Sequence, residues 1–213
     1  MVNQHQPVAK EGYPFIILFA FVTLIFALLD WDLLAFLGLA LTLFAVYFFR
    51  NPERVLPREE GVVAPADGKV VFVGEVEEPR CLQGRAIKVS IFMSVFNVHV
   101  NRVPLSGKVV DTFHQHGLFL NAALDKASLE NEQAGILLET ENGTRFLFVQ
   151  IAGLIARRIV SYPVVGDILQ RGMRYGLIRF GSRVDLYFPV GSTINVGLGD
   201  RTVAGESLIG TLP

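Results

Sequence analysis

Gly166-Asp167-Ile168-Leu169-Gln170-Arg171-Gly172 is echoed 33 residues later by Gly199-Asp200-Arg201-Thr202-Val203-Ala204-Gly205. Each Gly-Asp-x-x-x-x-Gly stretch is followed by an apolar pair, Leu177-Ile178 or Leu208-Ile209. Glycine reaches positive φ in a turn without steric cost, and a neighbouring aspartate can hydrogen-bond backbone amides there. The pattern predicts two copies of one turn-and-strand unit. Pro65-Ala66-Asp67-Gly68-Lys69-Val70 reads as the opening strand of the same type of unit. The spacing speaks for a fold and is silent about activity.

Working outward, short β-rich runs separated by Gly, Pro or Asp turns fill most of the chain after Arg50. They are Lys69–Val76, Arg85–Phe92, Lys108–Phe113, Gly135–Thr140, Arg145–Ile151, Val184–Phe188 and Ser192–Val196. Frequent short strands of this kind predict a mainly β fold, a β-sandwich or barrel. With the internal repeat, the pattern resembles the hammerhead halves of biotinyl/lipoyl-type barrel-sandwich domains. One polar helical stretch is expected over Leu118–Glu132. No βαβ alternation appears, which argues against a nucleotide-binding parallel sheet.

The N-terminal part is a different object. The chain has 213 residues, 51% of them hydrophobic, and much of that excess lies between Pro14 and Phe49, where Asp30 and Asp32 are the only charges. As one helix this run would be about 54 Å long, against a hydrocarbon core of about 30 Å. It would also bury two aspartates near the bilayer centre, at about 2.5–3.5 kcal/mol each. Two helices, 14–29 and 33–49, joined at Asp30-Trp31-Asp32, avoid both costs. Lys10, Arg50, Arg54 and Arg58 flank the outer ends, so the positive-inside bias puts both termini in the cytoplasm. The division expected is therefore 1–49, a tail with a membrane hairpin, and 50–213, a catalytic domain behind the linker Arg50-Asn51-Pro52-Glu53-Arg54. A hairpin buried in a soluble core fits less well, because such helices keep a polar face.

Composition excludes several chemistries. Lys and Arg number 19 against 20 Asp and Glu, without the basic excess of a nucleic-acid binder. One cysteine, Cys81, permits no disulfide framework and no Cys-rich metal site. No G-x-S-x-G, Walker A, G-x-G-x-x-G or H-E-x-x-H sequence is present. His5 lies in a polar tail, leaving His99, His114 and His116. His114-x-His116 puts two imidazoles on one strand face, a geometry that can bind zinc, but the spacing identifies no third ligand. These two histidines are read as polar strand or loop residues, and no metal is expected.

Three segments taken together point to a chemistry. They are Pro65-Ala66-Asp67-Gly68, then Asn97-Val98-His99-Val100-Asn101-Arg102-Val103-Pro104, then Ile178-Arg179-Phe180-Gly181-Ser182-Arg183-Val184-Asp185. Flanking them are Phe49-Arg50-Asn51-Pro52-Glu53-Arg54, Leu124-Asp125-Lys126-Ala127-Ser128 and Gln150-Ile151-Ala152-Gly153-Leu154-Ile155-Ala156-Arg157-Arg158. In this order the chain resembles the pyruvoyl-dependent phosphatidylserine decarboxylases of the short bacterial and archaeal branch, over almost all of 48–212.

The resemblance implies a proenzyme that cuts itself between Gly181 and Ser182, into a β chain 1–181 and an α chain 182–213. The Ser182 hydroxyl would attack the preceding carbonyl, and elimination and hydrolysis would leave a pyruvoyl cofactor at residue 182. Its ketone would condense with the amine of phosphatidylserine as a Schiff base and accept electrons as carbon dioxide leaves, giving phosphatidylethanolamine. Serine needs a base, which by analogy is Asp67, alone or through His99; His99 is also the candidate for protonating the α-carbon. Arg157, Arg158 and Arg179, in a stretch that also holds Arg171, Arg174 and Arg183, are candidates for the lipid phosphate. Without the resemblance, Asp67 before Gly68 reads as a turn residue, and His99 as a satisfied core histidine.

The chain departs from the family in places. The long branch has a second histidine where Arg102 stands here, so a cleavage triad using it does not transfer. Phe113-His114-Gln115-His116-Gly117 replaces a usual Pro-Gly pair, and Glu130-Asn131-Glu132-Gln133 only approximates an acidic-Arg-Asn stretch. The partners expected are phosphatidylserine in the membrane and the two chains of one proenzyme, with no nucleic acid; a homo-oligomer is left open. The expected location is the cell inner membrane, with the catalytic domain on its cytoplasmic face. The competing reading is a non-enzymatic, membrane-tethered barrel-sandwich adaptor or carrier. Neither repeat turn offers the exposed lysine a carrier needs, and no long hairpin is inserted in the barrel as in an adaptor.

Overall fold

The computed structural model describes residues 6–117, 131–153, 158–179 and 182–213. The chain divides into two compact units, residues 3–53 and 54–213. The helix expected over Leu118–Glu132 falls outside the described residues, except for Asn131 and Glu132, which lead into a strand.

In the first unit, α1 (Tyr13–Leu28) and α2 (Asp32–Phe48) form the expected hairpin, each boundary within one residue of the sequence reading. Asp30 turns the chain at φ 57°, a left-handed conformation that Asp tolerates better than most side chains. The helices approach closely at Gly38, where an added Cβ would stand 2.5 Å from Thr23 Oγ1. Small residues at such crossings are the usual means of packing helices in lipid. Thr23 and Thr42 donate their hydroxyls to Phe19 O and Gly38 O, at 2.7 and 2.8 Å. Neither therefore exposes an unmet polar group to an apolar surrounding. α1 has no buried residue and α2 only Gly38, Ala45 and Phe48. Their other apolar side chains are half-buried or exposed. Lys10–Leu28 is long and apolar enough to cross a membrane; Asp32–Phe48 is shorter.

Residues 50–53, expected to be a linker, belong with the hairpin. Arg50 bridges Val8, and Asn51 donates its N–H to Pro7 O and its side-chain amide to Gln6 O. The reason is local: paired backbone groups close the open end of the hairpin.

The second unit is mainly β. Its strands in chain order are β1 (Val62–Val63), β2 (Gly68–Glu78), β3 (Gly84–Met93), β4 (Val100–Arg102), β5 (Gly107–Gln115), β6 (Gln133–Glu139) and β7 (Arg145–Ala152). They continue with β8 (Ile159–Ser161), β9 (Ile168–Leu169), β10 (Arg174–Ile178), β11 (Ser182–Pro189), β12 (Thr193–Ile194), β13 (Arg201–Thr202) and β14 (Leu208–Thr211). Eight of them make one curled sheet in the order β13-β2-β3-β11-β7-β6-β5-β9. Two small sheets, β1-β14-β12 and β4-β10-β8, complete the unit. One face of the large sheet contributes Val89, Ile91, Ile136, Phe148, Leu186 and Phe188 to a core shared with Val62, Ile159, Tyr175, Ile178 and Ile209 of the small sheets. A smaller cluster on the opposite face joins Leu137, Leu147, Val149 and Ile151.

The repeat is real in atomic detail. Gly166 N donates to Val109 O and Val109 N to Asp167 O; Gly199 N donates to Val70 O and Val70 N to Asp200 O, all at 2.8–2.9 Å. Asp167 and Asp200 each cap their own turn, accepting from Val164 N and Gly197 N. Gly166, Gly172, Gly199 and Gly205 have φ of 98°, 83°, 97° and 77°, which glycine alone adopts freely. β9 and β13, the strands inside the two repeats, close opposite edges of the large sheet against β5 and β2. The hammerhead-like reading of the sequence is therefore the fold.

Candidate functional site

Ser182 opens β11, the strand at the centre of the large sheet. Its backbone pairs with Met93 of β3 on one side and Ala152 of β7 on the other. The side chain is fully buried, and Oγ has no hydrogen-bond partner among the described residues. Gly181, the other half of the expected cleavage site, lies outside the described residues, as does Arg157.

Two buried amides adjoin this end of β11. Gln150 stands two residues from Ala152 on β7, so alternation puts both on the sheet face that Ser182 shares. Gln150 Nε2 donates to Asn101 Oδ1 at 2.8 Å, and Asn101 Nδ2 approaches Met93 Sδ at 3.5 Å. Asn101 and Gln150 are both fully buried, and burying amides is costly unless they are paired. Sequence reading quoted both only as context. Their identity as neighbours follows from the register of β3, β7 and β11, which sequence spacing does not reveal. Asn131 adds a further link, donating Nδ2 to Ala152 O at 2.7 Å.

His99 precedes β4, is 1% exposed and is flanked by buried Val98 and Val100. Val100 pairs with Leu177, so the same register runs on toward Ile178, four residues before Ser182. His99 Nδ1 lies 2.9 Å from Asn97 O. A carbonyl only accepts, so this bond requires the proton on Nδ1 and makes Nε2 the basic nitrogen of the neutral ring.

Asp67 is joined to this loop through its main chain, whose oxygen accepts Asn97 Nδ2 at 3.0 Å. Its carboxylate is engaged otherwise. Arg54 Nη2 reaches both oxygens at 2.9 and 2.7 Å, and Ala204 N donates to Oδ1 at 2.8 Å. The other repeat has the same contact, Arg171 N donating to Ser106 Oγ at 2.9 Å. The signal was present in the sequence: Pro104-Leu105-Ser106-Gly107-Lys108-Val109 repeats the Pro-x-x-Gly-Lys-Val of Pro65–Val70.

The arginines separate by role. Arg171 is held by Pro57 O, Glu59 O and Gly61 O, and buried Arg174 donates to Tyr162 Oη at 2.7 Å. Arg183 is buried on the sheet face opposite Ser182, with Nε 2.8 Å from Asp185 Oδ1 and Nη2 donating to Oδ2 at 3.1 Å. Arg158 is exposed and Arg179 half-buried, Arg179 N donating to Arg158 O.

Thiol chemistry finds no support. Burial, then the charges of Glu78 and Asp111, push the Cys81 thiol up to about 11, with Arg80 opposing. At neutral pH it stays protonated, and the thiolate is the nucleophilic form.

A family model described as phosphatidylserine decarboxylase matches residues 41–210. The chain belongs to that family. A phosphatidylserine decarboxylase proenzyme of Syntrophotalea carbinolica is 65% identical over 213 residues, covering all of both chains. Proenzymes of the same name from Geotalea uraniireducens and Geobacter sulfurreducens are 55% and 53% identical, again over the full length of both chains. Within this decarboxylase family, the buried Ser182 is the residue to explain. A hydroxyl without a partner costs about 1–3 kcal/mol when buried, which disfavours a purely structural serine. Among the described residues, the strand partners Met93 and Ala152 and the nearby Asn101–Gln150 amides are uncharged, which suits a small carbonyl group made from that side chain.

Proposed function

We propose that the chain decarboxylates phosphatidylserine to phosphatidylethanolamine with a pyruvoyl group made from its own Ser182. The observation that carries this reading is the buried Ser182 hydroxyl, without a hydrogen-bond partner among the described residues, in the Gly-Ser pair that the family resemblance marks. Full-length relatives named as decarboxylase proenzymes support it. The non-enzymatic adaptor or carrier has no comparable support.

Maturation proceeds on this chain's own atoms. Ser182 Oγ attacks the Gly181 carbonyl carbon, its proton passes to a base, and the amide nitrogen leaves as the amine, giving an ester. Removal of the Ser182 Cα proton then expels the Gly181 carboxylate and leaves a dehydroalanine. Hydrolysis with loss of ammonia yields the pyruvoyl terminus. His99 is the base, because the bond from Nδ1 to Asn97 O directs its basic character to Nε2. Asp67 is a positioning residue. Its carboxylate fastens Arg54 and Ala204, and its main-chain oxygen fastens the Asn97 end of the His99 loop.

The pyruvoyl group, once formed, supplies the electron sink for loss of carbon dioxide. His99 then holds the proton owed to the α-carbon of the product. Val98, Val100, Met93 and Ala152, all buried, keep the site dry, which strengthens every polar contact inside it. Exposed Arg158, with Arg157 and Arg179, is assigned to the phosphate of the lipid headgroup. The apolar hairpin keeps the domain at the bilayer. Lys10, Arg50, Arg54 and Arg58 favour the cytoplasmic face of the inner membrane.

The two chains remain one body after the cut. The α chain would supply β11, which lies between β3 and β7 of the β chain, and β13 and β14, which pair with β2 and β1. The test is Ser182→Ala assayed against phosphatidylserine in mixed micelles. Loss of carbon dioxide release is expected, and a variant that still forms phosphatidylethanolamine would sink the reading.

A further inference from the structure

A second cluster lies at the β5–β6 end of the sheet, and the chemistry above makes no use of it. His114 and His116 come one after the other on the same face of the chain at the end of β5, their ring centroids 5.1 Å apart. Glu132, just before β6, is 7% exposed, and its Oε1 stands 2.9 Å from His114 Nε2. One ligand atom from each of the three lies within 4.8 Å of the other two. The hydrogen bond between His114 and Glu132 accounts for two of these groups and leaves His116 unexplained. The neighbouring cation Arg80 is occupied elsewhere: it covers the Phe113 ring and donates to Gln115 Oε1. Phe113 and Gln115 alternate with the two histidines and so face the other side of the strand.

We infer that His114, His116 and Glu132 form a binding site for a divalent transition-metal ion, zinc by its donor set. Two imidazoles and a carboxylate are ligands of the borderline kind zinc accepts, and three protein ligands leave a fourth position for water. Bonds of about 2.0–2.2 Å in a tetrahedral shell set donor atoms about 3.3–3.6 Å apart. The His114–Glu132 pair therefore opens by a few tenths of an ångström on binding, and His116 closes in. The ion fastens the end of β5 to the start of β6. From there the main chain leads to the catalytic strand: Ala152 N donates to Glu132 O at 2.9 Å, and Ala152 is the register partner of Ser182. The inference stands on this geometry and does not depend on the proposed decarboxylation.

The test is calorimetric titration of the full-length, chelator-stripped protein in detergent with zinc chloride, with cobalt(II) absorption as a second readout. One ion per chain is expected, with cobalt bands of a four-coordinate site. His114→Ala/His116→Ala should weaken binding by more than the roughly 100-fold range seen for lost outer-shell partners. Glu132→Gln keeps the shape and the acceptor for His114 but gives a poorer ligand, and it should also weaken binding. Absence of saturable zinc binding by the wild type would overturn the inference. So would a double-histidine variant that binds as the wild type does, since the ion would then sit on other donors.

Discussion

Asp67 and Ser106 occupy the same position in the two halves of the repeat, each accepting one backbone N–H across it. Asp67 Oδ1 takes Ala204 N and Ser106 Oγ takes Arg171 N, at 2.8 and 2.9 Å. Aspartate adds what serine lacks, a charged bond to Arg54. The carboxylate is thus a clamp, while the main-chain oxygen of Asp67 accepts Asn97 Nδ2 in the His99 loop.

Asp67→Asn keeps an acceptor for Ala204 and should self-process faster than Asp67→Ala, although both should lag the wild type. The cap alone is worth about 1 kcal/mol, so Asp67→Ser should recover roughly that much of the stability lost in Asp67→Ala. Unfolding curves and the fraction cleaved over time check the two halves of the claim. Equal processing rates in the Asn and Ala variants would contradict the positioning role.

His99→Gln retains a side-chain N–H for the Asn97 carbonyl but has no group to carry a proton near neutral pH. General acid–base groups contribute about 10²–10⁴-fold. Loss of that size in self-cleavage rate, with thermal stability close to wild type, is the expected result. A variant that cleaves normally would remove His99 from the mechanism.

The Arg183–Asp185 pair is completely buried on the far side of the strand that Ser182 begins. Arg183→Met removes the guanidinium beside the buried Asp185 carboxylate and should cost about 3–5 kcal/mol. Arg183→Met/Asp185→Leu, which removes both charges, should recover most of that loss. Chemical unfolding of the purified variants distinguishes them.

Cys81 gives a pH test. Burial, as the main cause, pushes its thiol up to about 11 from an ordinary 9.0. The folded state holds the proton more tightly than the unfolded one, so the linked stability is complete below pH 9 and falls as pH rises from there through 11. Maleimide labelling of the folded protein should accordingly keep rising steeply above pH 10. A rate that levels off by pH 10 would show an unshifted thiol.

Much of this architecture is legible in the chain. The hairpin shows because two apolar runs meet at Asp30-Trp31-Asp32. The seven strand runs show because apolar residues alternate between turn residues. The repeat shows because four glycines are obligatory at positive φ. β10 escapes, since Arg174-Tyr175-Gly176 is polar by type yet fully buried by the sheets around it. The pairing of Asn101 with Gln150, and of Glu132 with His114, escapes for another reason. Both depend on strand register between distant segments, and one sequence contains no direct record of register. Asp67 shows a third kind of gap: its place before Gly68 reads as a turn residue, while its hydrogen bonds to Arg54 and Ala204 come from segments distant in the chain.

Intact-mass spectrometry of the purified protein tests the central claim most directly. The account predicts two fragments, residues 1–181 and 182–213, the second blocked at its N-terminus by a pyruvoyl group, and one uncleaved chain from Ser182→Ala. A single full-length species from preparations that release carbon dioxide from phosphatidylserine would contradict it.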